Sequence, residues 1–160
     1  MRWIWIDKFT EFTPRTSATA VKNVSLAEEH LHDLCPAFPI VPHSLIVEGM
    51  AQTAGILVGE ARNFEEKVIL AKIGRATFHR LVRPGDTIEY TARIAQLHEQ
   101  GASIEGTVKV GTDLVAEIEL MFSHIDQNMS GIKFPEHNFV FTEQFTELVR
   151  NFRLDRPVTI

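Results

Sequence analysis

Residues 34–52, LCPAFPIVPHSLIVEGMAQ, hold the groups in this chain best suited to chemistry. One carboxyl, Glu48, and one amide, Gln52, fall inside an otherwise apolar run, and an imidazole, His43, stands at its start. A carboxyl desolvated by apolar neighbours favours its neutral form, so Glu48 can hold a proton near neutral pH and deliver it to a substrate. Gln52 follows one helical turn later on the same face, where its amide can orient that carboxyl. His43 occupies the expected N-terminus of the helix. The positive helix end disfavours the imidazolium and keeps the ring neutral and basic. Each residue also has a plainer reading. Glu48 could pair with a buried arginine or emerge at an edge, and His43 could be a packing or N-terminal hydrogen-bonding residue. His30 and His32 belong to a short helix, and His79 and His98 lie in or beside strands and read as structural. Cys35 reads as a small buried thiol.

These groups need a frame. Pro36, Pro39 and Pro42 impose an extended path up to His43. From His43 to about Ala61 the apolar residues Leu45, Ile46, Val47, Met50, Ala51, Ala54, Ile56, Leu57 and Val58 cover nearly every side, which predicts a buried central helix. Gly49, Gly55 and Gly59 weaken helix propensity by roughly 1 kcal/mol each, which points to close approach of other elements. Downstream, VILAKIG (68–74) leads into RATFHRLV (75–82), and Arg83-Pro84-Gly85-Asp86 has the residues of a type II turn. Three segments then alternate with period two. Ile88, Tyr90, Ala92 and Ile94 form one apolar face; Ala102, Ile104, Gly106, Val108 and Val110 a second; Leu114, Ala116, Ile118, Leu120 and Phe122 a third. Turn-like links at Glu99-Gln100-Gly101 and Gly111-Thr112-Asp113 make an antiparallel meander the simplest arrangement.

Upstream, Trp3 and Trp5 alternate with Ile4 and Ile6, as in a strand buried on both faces, and 16–25 reads as another strand. Ser25 followed by Glu28 matches a capping box opening a short helix over 26–32. Beyond Ile125 the pattern changes. Residues 126–160 read as an extension outside the domain of residues 1–125, with a short helix capped by Thr142 and spaced by Phe145, Leu148, Val149 and Phe152.

Composition narrows the function classes. At 160 residues, 44% hydrophobic and 23% charged, the chain suits one soluble globular domain. A net charge of −5 and no basic stripe argue against nucleic acid as partner. Arg75, Arg80 and Arg83 cluster in sequence, either as a solvated strand edge or as a local patch for an acidic protein. The single cysteine cannot form an intrachain disulfide and suits a reducing cytoplasm. No C-x-x-C or His-x-x-x-His spacing supports a metal site. The opening MRWIWID is too short for a signal segment or a membrane span, and no other run reaches membrane length.

The 34–52 stretch resembles the β-hydroxyacyl-(acyl carrier protein) dehydratase family of the hotdog superfamily. That family's motif reads His-Phe-Pro-x-x-Pro-Val-Met-Pro-Gly-Val-Leu, then Glu or Asp, then Ala-x-Ala-Gln. Here Pro36, Pro39, Pro42, Leu45, Glu48, Met50, Ala51 and Gln52 stand in that order. ATFHRLVRPGD (76–86) is similar to the family's Phe-x-x-x-Val-x-Pro-Gly-Asp turn, and KNVS (22–25) to the strand before the motif. The resemblance spans about residues 7–125. It implies an α+β hotdog fold, a long central helix wrapped by a curved antiparallel sheet, and a homodimer or higher oligomer with sites at the dimer interface. It implies a 3-hydroxyacyl chain carried as an acyl carrier protein or other phosphopantetheine thioester, with no metal or nucleotide cofactor.

Dehydration of such a thioester needs a base for the C2 proton, an acid for the departing C3 hydroxyl and a donor for the thioester oxygen. Glu48 suits the acid. The first N–H groups of the helix, near His43 and Ser44, suit the donor. Leu34, Ser44, Gln52 and Phe78 are the substrate-contacting positions that the resemblance implies. The chain departs from the family at two places. Leu34 stands where the motif carries its catalytic His, and His43 replaces the motif Gly. His43 is therefore the candidate for a relocated base, with His32 a weaker one. A hotdog thioesterase needing no His, or a non-catalytic subunit whose Glu48 completes the site of a His-bearing partner, are the competing readings.

Overall fold

The computed structural model describes residues 3–33, 36–125, 140–142 and 147. Leu34, Cys35 and the expected C-terminal helix around Phe145 and Leu148 lie outside them. Among the described residues, six strands and two helices follow the order β1 (Lys8–Thr13), β2 (Ser17–Asn23), α1 (Glu29–Asp33), α2 (His43–Glu60), β3 (Lys67–Phe78), β4 (Thr87–His98), β5 (Gly101–Val110) and β6 (Asp113–Ile125). All six strands join one antiparallel sheet ordered β1-β2-β4-β5-β6-β3. The curved sheet wraps α2, which touches β2, β3, β4, β5 and β6. The core lies between them, where Met50, Ala54 and Leu57 of the helix meet Ile88, Tyr90, Ile104, Val108, Ile118 and Leu120 of the sheet.

The meander β4-β5-β6 follows the alternation in the sequence, with one instructive slip. Leu114 was expected on the core face, yet it is 37% exposed while Val115 is 0% exposed. Val108 pairs with Ala116 and Lys109 with Leu114, so Val115 is an extra residue in β6. Such a bulge shifts the side-chain phase by one position. The segments 68–74 and 75–82 form a single strand that stops at Phe78, leaving 79–82 outside the sheet. At the next turn Asp86 N–H donates to Arg83 C=O, and Gly85 takes φ +94°, the left-handed conformation a type II turn requires.

Two upstream expectations change. Residues 3–7 are not a strand; the first begins at Lys8. Trp5 is 4% exposed and Trp3 49%. The main chain of Trp3 and Trp5 bonds to the Gln52 side chain of α2, and contact with β2 begins at Asp7, whose N–H donates to Val21 C=O. The capping box is not formed. Ser25 Oγ accepts from the Ala27 N–H, Glu28 turns to Lys22, and the helix starts at Glu29.

The long helix runs as expected, within one residue of its C-terminus, but it is not buried all round. His43 and Ser44 are exposed, and Leu45, Val47 and Glu48 are half-buried. From Gly49 to Gly59 it is almost wholly enclosed. The sheet covers the C-terminal two-thirds of α2 and leaves one side of its first turns open. Gly49 marks where cover begins: a Cβ there would lie 2.3 Å from Cζ of Tyr90.

Candidate active site

The open first turns of α2 carry the candidate groups. Glu48 and Gln52 are brought together: Gln52 Nε2 donates to Glu48 Oε1 at 2.8 Å. Gln52 is only 2% exposed, whereas Glu48 is half-buried at the rim, so the carboxyl is less enclosed than the apolar sequence around it suggested. The helix axis explains the difference, because Glu48 lies one turn closer to the open end.

Gln52 is held from the far side by the N-terminal segment. Its Oε1 accepts the Trp5 N–H at 2.8 Å, and its Nε2 also donates to Trp3 C=O at 3.2 Å. Main-chain polarity is unambiguous, so these bonds fix which end of the amide faces which partner. Trp5 is itself anchored. Its Nε1–H donates to Tyr90 Oη at 3.1 Å, Lys22 Nζ lies 4.8 Å from the centre of its ring, and His30 meets it edge-on at 5.2 Å. Burial pushes the Tyr90 phenol well above its ordinary range, so it remains a hydroxyl.

His43 forms a second pair. Its ring stacks on Phe78 with centroids 3.9 Å apart and planes 2° from parallel. The N-cap is Pro42, and among the described residues no side chain caps the helix. His43 and Ser44 thus begin a helix whose first N–H groups are available to an acceptor. His43 and Glu48 of one chain do not converge. Five residues along a helix separate side chains by about 140° and about 7.5 Å.

The other candidates have local explanations. His32 is exposed on α1, and His30 lies beside Trp5 with Nε2 3.7 Å from Glu28. His79 pairs with Glu117 at 3.1 Å. Of the three arginines, Arg75 is paired to Glu119 and Arg80 to Asp86 and Asp113, while Arg83 stacks on the Phe38 ring at 4.6 Å. The sequence reading passed over the Trp5–Tyr90 contact. The available signal was a pair of large side chains, each with one polar atom that burial obliges to find a partner.

An antiparallel sheet wrapped about a central helix, with a polar pair at the helix's open end, defines a hotdog protein. Solved structures with this fold include the dehydratase heterocomplex ApeI:P from Xenorhabdus doucetiae, at TM-score 0.63 and 13% identity over 78% of this chain and 84% of that one. A thioesterase from Haemophilus influenzae matches at TM-score 0.61 and 14% identity, over 78% of this chain and 81% of its own. Sequence is more specific. A family model described as FabA-like domain matches residues 4–119. The 3-hydroxyacyl-[acyl-carrier-protein] dehydratase FabZ of Rickettsia bellii is 38% identical over 119 residues, 72% of this chain and 81% of the relative. FabZ of Clostridioides difficile is 31% identical over 126 residues, 78% of this chain and 89% of the relative. The chain belongs to the FabA-like dehydratase family.

Proposed function

We propose that this protein is a lyase that dehydrates 3-hydroxyacyl chains carried as thioesters on acyl carrier protein, in cytoplasmic fatty-acid or related acyl-chain synthesis. The observation that carries this reading is the Glu48–Gln52 pair at the open end of α2, within a chain of this family. Glu48 protonates the C3 hydroxyl, which leaves as water. A base takes the C2 proton, and the electrons of that C–H bond form the C2–C3 double bond of the enoyl product. The α2 N-terminus at His43 and Ser44 receives the thioester oxygen, where developing negative charge is stabilised. Phe78 lines the entry beside His43.

His43 is the base in this reading. Because it diverges from Glu48 within one chain, the two work together across a homodimer, His43 of one copy facing Glu48 of the other. The edge position of β3, with Leu70 and Ile73 exposed, supports such pairing. Leu34, standing where the family motif has His, favours one alternative: Glu48 completes the site of a different, His-bearing subunit. Incubation with 3-hydroxyacyl-carrier protein, followed by enoyl absorbance and free-thiol release, tests both. Enoyl formation by the purified protein, lost in Glu48→Gln and His43→Ala, is the expected result. Enoyl formation in Glu48→Gln at the wild-type rate, or thiol release without enoyl product, would overturn the lyase reading. Turnover only after adding a His-bearing relative would assign the role of partner subunit.

A further inference from the structure

We infer that Trp5 is a positioning residue for Glu48, acting through Gln52; this rests on the reading of Glu48 as the acid. A free glutamine beside a carboxyl can present either its oxygen or its nitrogen. Here that choice is removed. The Trp5 N–H can only donate, so it takes Oε1, and the Trp3 carbonyl can only accept, so it takes Nε2. The remaining donor of Nε2 is directed at Glu48 Oε1.

The chemical consequence lies on the carboxyl. With Oε1 engaged as an acceptor, a proton on Glu48 resides on Oε2, the oxygen free to meet a substrate. A reversed amide would present its oxygen to Glu48 and draw that proton into the Gln52 bond, where it could not be delivered. The amide keeps its direction only while residues 3–5 stay in place. They are held by the Trp5 side chain through Tyr90 Oη, and through its ring by Lys22 and His30. Lys22 is in turn tied to Asp7 and Glu28. The anchor therefore joins the N-terminal segment, β2, α1 and β4 at one indole, while the Trp5 main-chain N–H reaches α2.

The test uses Trp5→Ala, Trp5→Phe and Gln52→Leu in the full chain. Hydrogen exchange of the Gln52 side-chain amide, read by NMR, is expected to rise about tenfold in Trp5→Ala, the effect of losing roughly one net hydrogen bond. Backbone amides of β5 should be unchanged, and Trp5→Phe, which retains the ring and loses the indole donor, should be intermediate. In turnover, Trp5→Ala should lower kcat about tenfold with KM unchanged. It should add no further loss in a Gln52→Leu background. Unaltered Gln52 exchange in both Trp5 variants, equal acceleration of the β5 amides, or full additivity with Gln52→Leu would overturn the assignment. If the wild-type chain does not turn over, the lyase proposal fails, and the exchange measurement still decides whether Trp5 positions the Gln52–Glu48 pair. Should Trp5→Ala fail to fold, Trp5→Phe carries the same comparison.

Discussion

Gln52→Glu is nearly isosteric, yet it should be among the most damaging changes in the helix. It preserves the acceptor that receives the Trp5 N–H and removes both donors that Gln52 offers, to Glu48 at 2.8 Å and Trp3 at 3.2 Å. At neutral pH the variant must either hold two carboxylates in contact or bind a proton on the introduced group. Two unit charges 4 Å apart repel by roughly 4 kcal/mol at an effective dielectric constant of 20. Protonation limits the charge penalty at pH 7 to about 3.7 kcal/mol, from 1.36 kcal/mol per unit above an unfolded value near 4.3. The protonated group restores one donor, so the residual loss at low pH is about one hydrogen bond, roughly 1 kcal/mol. The expected destabilisation is therefore roughly 1 kcal/mol at pH 4.5 and roughly 5 kcal/mol at pH 7.

The sign follows from linkage. The introduced carboxyl has its folded pKa raised by burial and by Glu48, so the folded state binds more protons than the unfolded state above about pH 4.3. Stability of the variant relative to wild type is fullest below that pH and falls as pH rises, by at most about 1.36 kcal/mol per unit. Urea unfolding followed by tryptophan fluorescence, at one fixed protomer concentration and several pH values, measures it. A variant as stable as wild type at pH 7.5, or a deficit equal at pH 4.5 and 7.5, would refute the donor assignment of Gln52.

Three further outcomes follow from the same contacts. Gly49→Ala gains about 1 kcal/mol of helix propensity, but its Cβ would meet Tyr90 Cζ at 2.3 Å. The net result should be a loss of about 1–3 kcal/mol and a lower Tm, and a raised Tm would count against the packing argument. Tyr90→Phe leaves the buried Trp5 Nε1–H without its acceptor, which should reduce stability by about 1–2 kcal/mol and speed exchange of that indole proton. Leu34→His restores the imidazole of the family motif. If its absence limits the C2 proton abstraction, enoyl formation should rise at least tenfold, within the range attributed to general bases; an unchanged rate would show that the base is supplied elsewhere.

The fold was legible where one physical rule governed a whole element. Period-two alternation marked β4 and β5 because each has one face on α2 and one in solvent. The rule failed at Val115, where a bulge defined by pairing with β5 breaks the period, and no residue type announces it. It failed again at Trp3–Asp7. Alternating large residues suggested a ladder, but the main chain of Trp5 and Trp3 is paired to a side chain on a helix 47 and 49 residues away, and bonding to β2 starts only at Asp7. Ser25 and Glu28 are the right types at the right spacing for a cap. A competing cation, Lys22, takes the glutamate, and only the fold brings it there.

The candidate site divides along the same line. Glu48 and Gln52 were legible as a pair because both lie on one continuous helix, whose geometry fixes i and i+4 neighbours before any tertiary structure forms. His43 was legible as a group at the helix start, but its relation to Glu48 was not. The same geometry that joins Glu48 to Gln52 turns His43 about 140° away from Glu48 in its own chain. That separation changes the chemical question. A base on α2 can serve an acid on α2 only if two helices face one another, so the choice between His43 and an imidazole from another subunit is a question of which chain pairs with this one. Leu34 makes the question acute, and the proposed pairing rests on edge strand β3, where Leu70 and Ile73 are exposed.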